Sequence, residues 1–353
     1  MSKKRISILL FIFISALSLA GCTRSAGEDG AFVYERPAVG PQVEDETATD
    51  VELSGQSRLD LEAADGVIKL SYWDKDYLQA VVRKKVKGPA SEGSLKELLE
   101  DIDVKIESLS YEIKITAEQS GKIKPLFRGT TDIELKVPAA LKNINIKANN
   151  GAIIMSGLSG LNNADIEVKK GNIKADGCAV GVISAETGEG NIDVDEIEGS
   201  GEYKCGRGDV RLNRVNGDIK LKLTAGNAYI ENADGKLDCD ISSGKLSIKG
   251  THLKADTILY ASRGKIEAGF SRIDTSGKYT IKSAGGDIRL DLPKSAGWSL
   301  LAESTGGRVV NNTGLGGDVL KSSPTGEVYG DFEGGGPSID VYTDSGDIFL
   351  DMI

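Results

Sequence analysis

The sequence predicts an all-β fold, a solenoid-like stack of about ten Gly-Asp/Asn-Ile strand repeats of 18–22 residues. An irregular β region with one short helix is predicted to precede this stack. Two further observations support the prediction: apolar and polar residues alternate with a period of two, and the composition is unusual. Glycine accounts for 44 of 353 residues and aromatic residues for 5%, which favours many turns over an ordinary α/β enzyme.

Ten glycines mark the repeats, and nine of them are followed by a polar and then an apolar residue. They are predicted to be structural turn glycines: Gly151, Gly171, Gly190, Gly208, Gly226, Gly244, Gly264, Gly286, Gly307 and Gly346. The interval of 39 residues before Gly346 is about twice the others, so it should contain a degenerate repeat or a loop. The phrase at Gly217 falls between two marked glycines, so one repeat holds more than one strand.

A single repeat shows why stacking is needed. After Gly217, the side chains of Ile219, Leu221 and Leu223 point to one side of a strand, and the intervening polar side chains point to the other. Glycine allows the positive φ that a tight corner requires. One isolated repeat cannot bury its apolar side, whereas stacked repeats bury a continuous one.

The first 21 residues resemble a signal peptide of a bacterial lipoprotein. A basic start is followed by an apolar segment at residues 6–20, and Leu19-Ala20-Gly21-Cys22 resembles a lipobox. The resemblance implies cleavage before Cys22 and attachment of lipid, including palmitate, to that residue. Thr23 follows where an Asp would imply retention in the inner membrane. The implied location is the outer membrane if the cell has two membranes, and otherwise the outer face of the cell membrane.

The remainder of the chain is predicted to have three parts. Residues 22–50 are rich in Gly, Pro, Ser and acidic residues, and are predicted to form a flexible tether. Residues 51–145 form the irregular β region, in which Asp65-Gly66 indicates a hairpin turn. Residues 146–353 form the strand-repeat solenoid.

One helix is predicted near residues 94–103. Ser94 and Glu97 have the spacing of a capping box, which marks a helix start. Leu95, Leu98, Leu99 and Ile102 then follow as a single apolar stripe at helical spacing. This stripe is expected to pack on the sheet.

The net charge of −10 excludes a nucleic-acid partner, because an acidic chain gains no affinity from counterion release. Removal of a leader with three basic residues makes the mature chain more acidic still. The local exception, Arg83-Lys84-Lys85-Val86-Lys87, is predicted to be an exposed face of one strand.

No metal, cofactor or catalytic residue is predicted. His252 is the only histidine and has no visible partner, and no C-x-x-C spacing occurs, which argues against a zinc site. Calcium ladders are also disfavoured, because Lys and Arg replace the acid in several repeats. Cys205 and Cys239 are expected to be buried core residues. The redox state of these two residues and of Cys178 stays open, and one disulfide remains an alternative.

Several segments resemble the bacterial putative-adhesin, β-strand-repeat family of unknown function. They are "ADGVIKLSYWDKDYLQAVVRKK", "TTDIELKVPAALKNINIKANNGAIIMSGLSG", the recurring "GNI/GDI/GDV" and the ending "GGGPSIDVYTDSGDIFLD". The resemblance covers roughly residues 51–353 and implies an all-β, solenoid-like protein at the cell envelope. It supplies no catalytic residues. Relatives near envelope-stress signalling genes imply a regulatory role as an alternative.

Three hypotheses about function follow. The first is a non-catalytic envelope lipoprotein that presents an elongated β surface for adhesion or envelope interaction. The second is a sensory or regulatory partner of a membrane envelope-stress signalling protein, and the third is a polysaccharide-active β-helix enzyme.

The expected partners are the membrane, through the lipid anchor, and an envelope glycan or a membrane protein. The oligomeric state stays open. Exposed tyrosines in a row would favour a glycan, but Tyr203, Tyr229, Tyr260 and Tyr279 share no register and are expected to fill the core.

Overall fold

The computed structural model describes residues 39–119, 126–294, 297–313, 320–323 and 326–353. The predicted signal peptide, Cys22 and the first part of the predicted tether lie outside these residues. The chain divides into two compact units, one ending at Lys174 and the other running from Ala175 to Ile353. Both units consist almost entirely of β-strands, so the predicted fold class is confirmed.

Among its described residues, the first unit contains eight strands and one helix. They are β1 (Gln42–Glu52), β2 (Arg58–Trp73), β3 (Tyr77–Lys87), α1 (Glu92–Glu100), β4 (Ile102–Ser108), β5 (Glu112–Gln119), β6 (Arg128–Pro138), β7 (Asn143–Ser156) and β8 (Leu161–Lys170). A ninth strand, β9 (Ile173–Glu189), begins in this unit and continues into the second. Within the described part of the chain, no helix has the length and apolar character that a membrane span needs.

The repeat stack begins earlier than predicted. β2 pairs in parallel with β7 on both sides of Gly66, from Arg58 opposite Asn143 to Ser71 opposite Ser156. Its other edge pairs in parallel with β5 and β6, so β2 lies between strands that follow it in sequence. Asp65-Gly66 is therefore a corner inside one strand, and the predicted hairpin turn is wrong.

The acidic end of the predicted tether is also a strand. β1 pairs antiparallel with β3 along its length, from Gln42 opposite Lys87 to Glu52 opposite Tyr77. Opposite charges face each other across this pair and stabilise it. The facing pairs are Glu44 with Lys85, Asp45 with Lys84 and Glu46 with Arg83. The flexible tether predicted for residues 22–50 is therefore wrong from Gln42 onward, and the basic run lies on β3 opposite an acidic strand.

The predicted helix is present, with a different start. The helix α1 begins at Glu92, and the hydroxyl of Ser91, whose backbone is extended, accepts a hydrogen bond from Ser94 N (3.3 Å). The N-cap is thus Ser91, and the predicted capping box between Ser94 and Glu97 is wrong. The apolar stripe packs inward as predicted, but the helix ends at Glu100, and Ile102 is the first residue of β4 rather than part of the helix. The stripe joins a buried cluster formed by Val43, Val86, Leu95, Leu99 and Ile102.

The second unit is a stack of rungs, each with two strands and two corners. Its strands are β10 (Ile192–Arg207), β11 (Val210–Asn216), β12 (Ile219–Ala225), β13 (Ala228–Glu231), β14 (Asp234–Gly235), β15 (Leu237–Leu253), β16 (Ile258–Ile273), β17 (Lys278–Ser283), β18 (Ile288–Leu292), β19 (Trp298–Ser304), β20 (Val309–Asn311), β21 (Leu320–Ser323), β22 (Glu327–Phe332), β23 (Ser338–Thr343) and β24 (Ile348–Met352).

Two sheets enclose the core of this unit. We call the sheet of strands that precede each marked glycine the first face, and the sheet of strands that follow it the second face. Parallel pairing aligns equivalent side chains in columns across the rungs. One buried column of the first face runs through Tyr203, Leu221, Cys239, Leu259, Ile281, Val341 and Ala302. It meets a matching column of the second face, formed by Val194, Leu212, Ile230, Ile248, Ala268, Leu290 and Leu350.

At the end of the chain, the order of rungs in space departs from their order in sequence. β23 pairs in parallel with both β17 and β19, and β24 pairs in parallel with both β18 and β20. The last two strands therefore lie between two rungs that precede them. β22 pairs antiparallel with β19 and with β21. The long interval before Gly346 thus contains a hairpin, where the sequence predicted a degenerate repeat or a loop.

The marked glycines stack directly on one another. A Cβ atom added to one of them would lie 1.5–2.2 Å from the carbonyl oxygen of the glycine in the adjacent rung. In the first unit the contacts run through Gly66, Gly151 and Gly171. In the second unit they run through Gly190, Gly208, Gly226, Gly244, Gly264, Gly286, Gly346 and Gly307. All ten predicted turn glycines lie in these two columns.

Small buried side chains satisfy several of these glycine carbonyls from inside the core. The hydrogen bonds are Ser283 Oγ to Gly264 O (3.0 Å), Thr343 Oγ1 to Gly286 O (3.0 Å) and Ser304 Oγ to Gly346 O (2.7 Å). The thiol of Cys205 lies 3.3 Å from Gly190 O in the same way. Burial raises the pKa of Cys205 to about 11 and raises that of Cys239 as well. Cys178, Cys205 and Cys239 are all buried and form no disulfide, which favours a packing role.

Replacing one stacked glycine tests whether this contact controls folding. In Gly226→Ala, the new Cβ would lie 1.8 Å from Gly208 O, and we expect a loss of about 4 kcal/mol or more in the free energy of unfolding. Urea unfolding followed by circular dichroism measures this loss. The matched control is Gly177→Ala, which has a positive φ of 60° but nothing within 4 Å. It should lose about 1–2 kcal/mol from backbone strain alone. Equal losses in both variants would contradict the steric explanation.

Candidate functional site: the outward surface of the first face

The residue after each stacked glycine forms a hydrogen-bonded ladder along the corner. Side-chain oxygens of one rung accept hydrogen bonds from the backbone N–H of the equivalent residue in an adjacent rung. The longest run is Asn191 Oδ1 from Asp209 N (2.9 Å), Asp209 Oδ1 from Asn227 N (3.0 Å) and Asn227 Oδ1 from Lys245 N (3.2 Å). The recurring Gly-Asp and Gly-Asn phrases therefore serve the scaffold.

Each ladder ends at a basic residue, because Lys and Arg side chains have no acceptor for the following rung. The run from Asn191 ends at Lys245, and Asp218 Oδ1 accepts from Lys236 N (3.0 Å). The run from Asp287 through Asp347 ends at Arg308. No group of three or more His, Cys, Asp or Glu side chains among the described residues is arranged to hold a metal ion.

His252 has partners that the linear sequence does not reveal. Its Nδ1 lies 3.0 Å from Asp234 Oδ2, and its Nε2 lies 3.1 Å from Asp274 Oδ1. The hydrogen bond with His252, assisted by Lys254, lowers the pKa of Asp234. Asp234 lies directly opposite His252 in the adjacent strand, so a spacing of one rung could have suggested this pair. The His252 side chain is 14% exposed, whereas the side chains of Asp234 and Asp274 are 49% and 39% exposed.

The second face carries a small depression beside Gly269. Its volume is about 240 Å³, and Glu267, Arg289 and Asp291 line it. Partial burial and the facing carboxylate of Asp351 raise the pKa of Asp291, whereas Arg289 Nη1 lies 2.8 Å from Asp351 Oδ2. Hydrogen bonds from Lys245 and Lys265 lower the pKa of Glu267 to about 2, so Glu267 and Asp291 differ in proton affinity. Two carboxyl groups that differ in this way are a pattern found in glycosidases. The volume, however, is below the roughly 300–1,000 Å³ typical of small-molecule sites.

The first face carries a larger depression of about 350 Å³. Glu202, Lys220 and Asp238 stand in one outward column across β10, β12 and β15 and form much of its lining. Lys220 Nζ lies 3.8 Å from Glu202 Oε1, so charges of opposite sign alternate along this column. The same column continues to Ile258 on β16, whose side chain is 47% exposed.

Beyond this depression, outward tyrosines occupy alternate strands of the first face. Tyr260 on β16 faces Lys282 on β17, and Lys282 faces Tyr342 on β23. Two strands further on, Tyr329 on β22 faces Leu301 on β19 and is 45% exposed. We call Ile258, Tyr260, Lys282, Tyr342, Leu301 and Tyr329 the tyrosine face.

Polar groups are interspersed in the tyrosine face. Lys282 Nζ lies 5.1 Å from the ring centre of Tyr342, and Lys278 Nζ lies 2.7 Å from Asp340 Oδ2. Partial burial, together with Asp340 and Glu303, raises the pKa of Tyr342, so its hydroxyl remains a hydrogen-bond donor in neutral solution. The surface thus combines aromatic rings with fixed donors and acceptors.

The expectation that four tyrosines fill the core is half right. Tyr203 and Tyr279 are buried, and the ring of Tyr203 occupies the space left by the missing side chain of Gly201. Tyr229 and Tyr260 point outward, on the second and first face respectively. The prediction failed for these two because spacing from the next glycine does not distinguish the two faces of a strand. The odd or even position of a residue within its strand does distinguish the two faces, and the sequence contains this signal.

The fold and this surface define a class of protein, the all-β strand-repeat proteins. In this chain, many polar backbone groups at the corners form hydrogen bonds within the stack, and the outward side chains stand in columns. Residues 96–231 match the family described as Toastrack DUF4097, whose function is unknown. This match confirms the resemblance stated from the sequence. A search of curated proteins found no match.

The solved structures that match this chain have low sequence identity and low TM-scores. A putative cell adhesion protein from Clostridium sporogenes ATCC 15579 is 13% identical, with 88% of this chain and 100% of that chain covered and a TM-score of 0.21. A putative lipid binding protein from Parabacteroides distasonis ATCC 8503 is 13% identical, with 87% and 96% covered and a TM-score of 0.33. A putative adhesin from Bacteroides fragilis NCTC 9343 is 14% identical, with 88% and 97% covered and a TM-score of 0.25. At these values the names say nothing about what this chain binds.

Substitutions at Asp209 distinguish a hydrogen-bonded ladder from a metal ladder. Asp209→Ala removes the acceptor for Asn227 N and should cost roughly 1–2 kcal/mol of unfolding free energy. Asp209→Asn retains an acceptor and should recover most of that loss. Thermal unfolding with and without added calcium is the measurement. A calcium-dependent rise in midpoint that Asp209→Asn abolishes would contradict the ladder described here.

Proposed function

We propose that this chain is a non-catalytic lipoprotein of the cell envelope that binds an envelope component through the outward surface of the first face. The observation that carries the proposal is the tyrosine face, which consists of two neighbouring outward columns. Ile258, Leu301 and Tyr329 continue the column of the charged depression, and Tyr260, Lys282 and Tyr342 stand in the column beside it. The corners of the stack are held by their own glycine and Asp/Asn contacts. The outward side chains are therefore not needed to close the fold, and they remain available for a ligand.

The proposed location rests on the start of the chain. A basic segment, an apolar segment and Leu19-Ala20-Gly21-Cys22 occur in the order of a lipoprotein signal. Lipid chains at Cys22 would hold the folded part beside the membrane, since each buried methylene contributes about 0.8 kcal/mol to membrane binding. The residues between Cys22 and Gln42 would then connect the lipid to β1.

A binding role is favoured over catalysis by the arrangement of polar groups. His252 is engaged by Asp234 and Asp274, and the depression at Asp291 is smaller than usual ligand sites. The tyrosine face, in contrast, is broad and carries aromatic rings beside hydrogen-bonding groups. Such a surface fits the recognition of an extended ligand better than the enclosure of a reacting bond.

The anchor is tested first by the substitution Cys22→Ala. In bacteria expressing the full chain and labelled with radioactive palmitate, we expect the label to disappear from this variant, because its attachment atom is lost. The matched control is Cys178→Ala, which alters a buried cysteine of the fold and should retain the label. Persistence of palmitate on Cys22→Ala would rule out the proposed anchor.

The surface is tested by sedimentation of the purified, detergent-solubilised protein with washed cell-wall material. We expect saturable binding that weakens at least about tenfold in the double variant Tyr260→Ala/Tyr342→Ala, because truncation of central aromatic residues dominates binding loss. Tyr229→Ala, on the second face, is the matched control and should bind as the native protein does. If cell-wall material does not bind and one membrane protein is captured instead, the regulatory alternative is favoured.

A further inference from the structure

We propose that the tyrosine face binds an extended, non-acidic β-1,4-linked polysaccharide, which lies across the strands with its sugar rings on Tyr260 and Tyr342. This inference rests on the proposed function and specifies the ligand of that same surface. It depends on the spacing of the tyrosines, on the polar groups between them and on the balance of charge.

The tyrosines lie on alternate strands of a five-strand segment in the order β16, β17, β23, β19 and β22. Neighbouring strands are about 4.8 Å apart, so tyrosines two strands apart are separated by about 10 Å across the sheet. In an extended β-1,4-linked chain, successive sugar rings turn over, and alternate rings present the same face. The separation of the tyrosines is close to the length of one such disaccharide unit.

The strands between the tyrosines supply polar side chains. Lys282 on β17 lies between Tyr260 and Tyr342, and Glu303 on β19 follows Tyr342 in the same column. A sugar chain stacked on the rings would place the hydroxyl groups of its intervening units over Lys282 and Glu303. Aromatic rings that receive apolar C–H surface, together with a few polar groups that fix orientation, are a usual composition of ligand sites.

Charge disfavours an acidic ligand. Lys278 is paired with Asp340 at 2.7 Å. In the column of Tyr342, Lys282 lies on one side, and Glu303 and then Glu327 follow on the other, facing each other. This part of the column therefore offers no cluster of free cations for an acidic polymer, and its two facing carboxylates would repel one. In the depression that leads to the tyrosine face, Glu202, Lys220 and Asp238 also alternate in sign.

The second face provides the contrast. Its outward rings are covered by arginine: the guanidinium of Arg211 lies 5.4 Å from the ring centre of Tyr229, and that of Arg289 lies 5.0 Å from the ring centre of Phe349. Tyr229 and Phe349 are separated by several strands in the outward column. Glu267 occupies the position midway between them in that column, so these rings lack the alternate-strand spacing that a sugar chain would use.

The test is isothermal titration calorimetry of the detergent-solubilised full protein with three hexasaccharides. They are cellohexaose, the β-1,4-linked hexamer of N-acetylglucosamine, and maltohexaose, whose α-1,4 linkages curve the chain. We expect binding of at least one β-linked hexamer and at least tenfold weaker binding of maltohexaose. Tyr342→Ala should weaken the β-linked interaction about tenfold, whereas Tyr342→Phe should retain most of it because the ring remains.

Controls separate this inference from the broader proposal. Tyr229→Ala should leave hexasaccharide binding unchanged. If neither β-linked hexamer binds, but cell-wall sedimentation still depends on Tyr260 and Tyr342, the inference of a polysaccharide ligand is overturned. The proposal that this surface binds an envelope component then still stands. If cell-wall sedimentation is also absent, both proposals fail. Equal binding of maltohexaose would overturn the argument from strand spacing.

Discussion

At each main corner of the stack, the backbone of one glycine lies against the carbonyl group of the glycine in the neighbouring rung. A Cβ atom there would lie 1.5–2.2 Å from that oxygen, so any side chain forces the two rungs apart. The spacing of strands is set by backbone hydrogen bonds and leaves no freedom to absorb such a shift. The regular rung length, the columns of the core and the outward columns all follow from keeping these corners in contact.

The corner also explains why several recurring polar residues serve the scaffold and do not form a ligand site. Each tight turn brings carbonyl groups and N–H groups together in a place that water reaches poorly, and unpaired groups there would be costly. Asn and Asp side chains accept from the next rung on the outside, as Asp209 does, and Ser283 donates to a glycine carbonyl on the inside. The recurring Asp and Asn residues, which resemble metal ligands in the sequence, therefore form hydrogen bonds within the scaffold instead.

The sequence predicts those parts of the fold that depend on a local period. The ten stacked glycines and the burial of Cys205 and Cys239 follow from spacing and alternation. The position of β2 does not, because a long excursion through β3, α1, β4, β5 and β6 separates it from β7, its partner on the other edge. The β1 strand was missed because acidic residues dominate its polar side chains and obscure the alternation of apolar and polar residues. Pairing with the basic β3 stabilises this strand, although few of its side chains are buried.

The candidate site depends on the strand order that periodicity cannot predict. If rungs followed their order in sequence, β17 would lie beside β19, and Lys282 would neighbour Glu303 with no aromatic ring between them. Insertion of β23 between these two strands places Tyr342 two strands from Tyr260, and β22 then adds Tyr329 two strands beyond. The alternate-strand spacing therefore arises from the return of the chain end into the stack. A surface feature of this kind is set by long-range pairing, and any account of function drawn from the repeats alone would omit it.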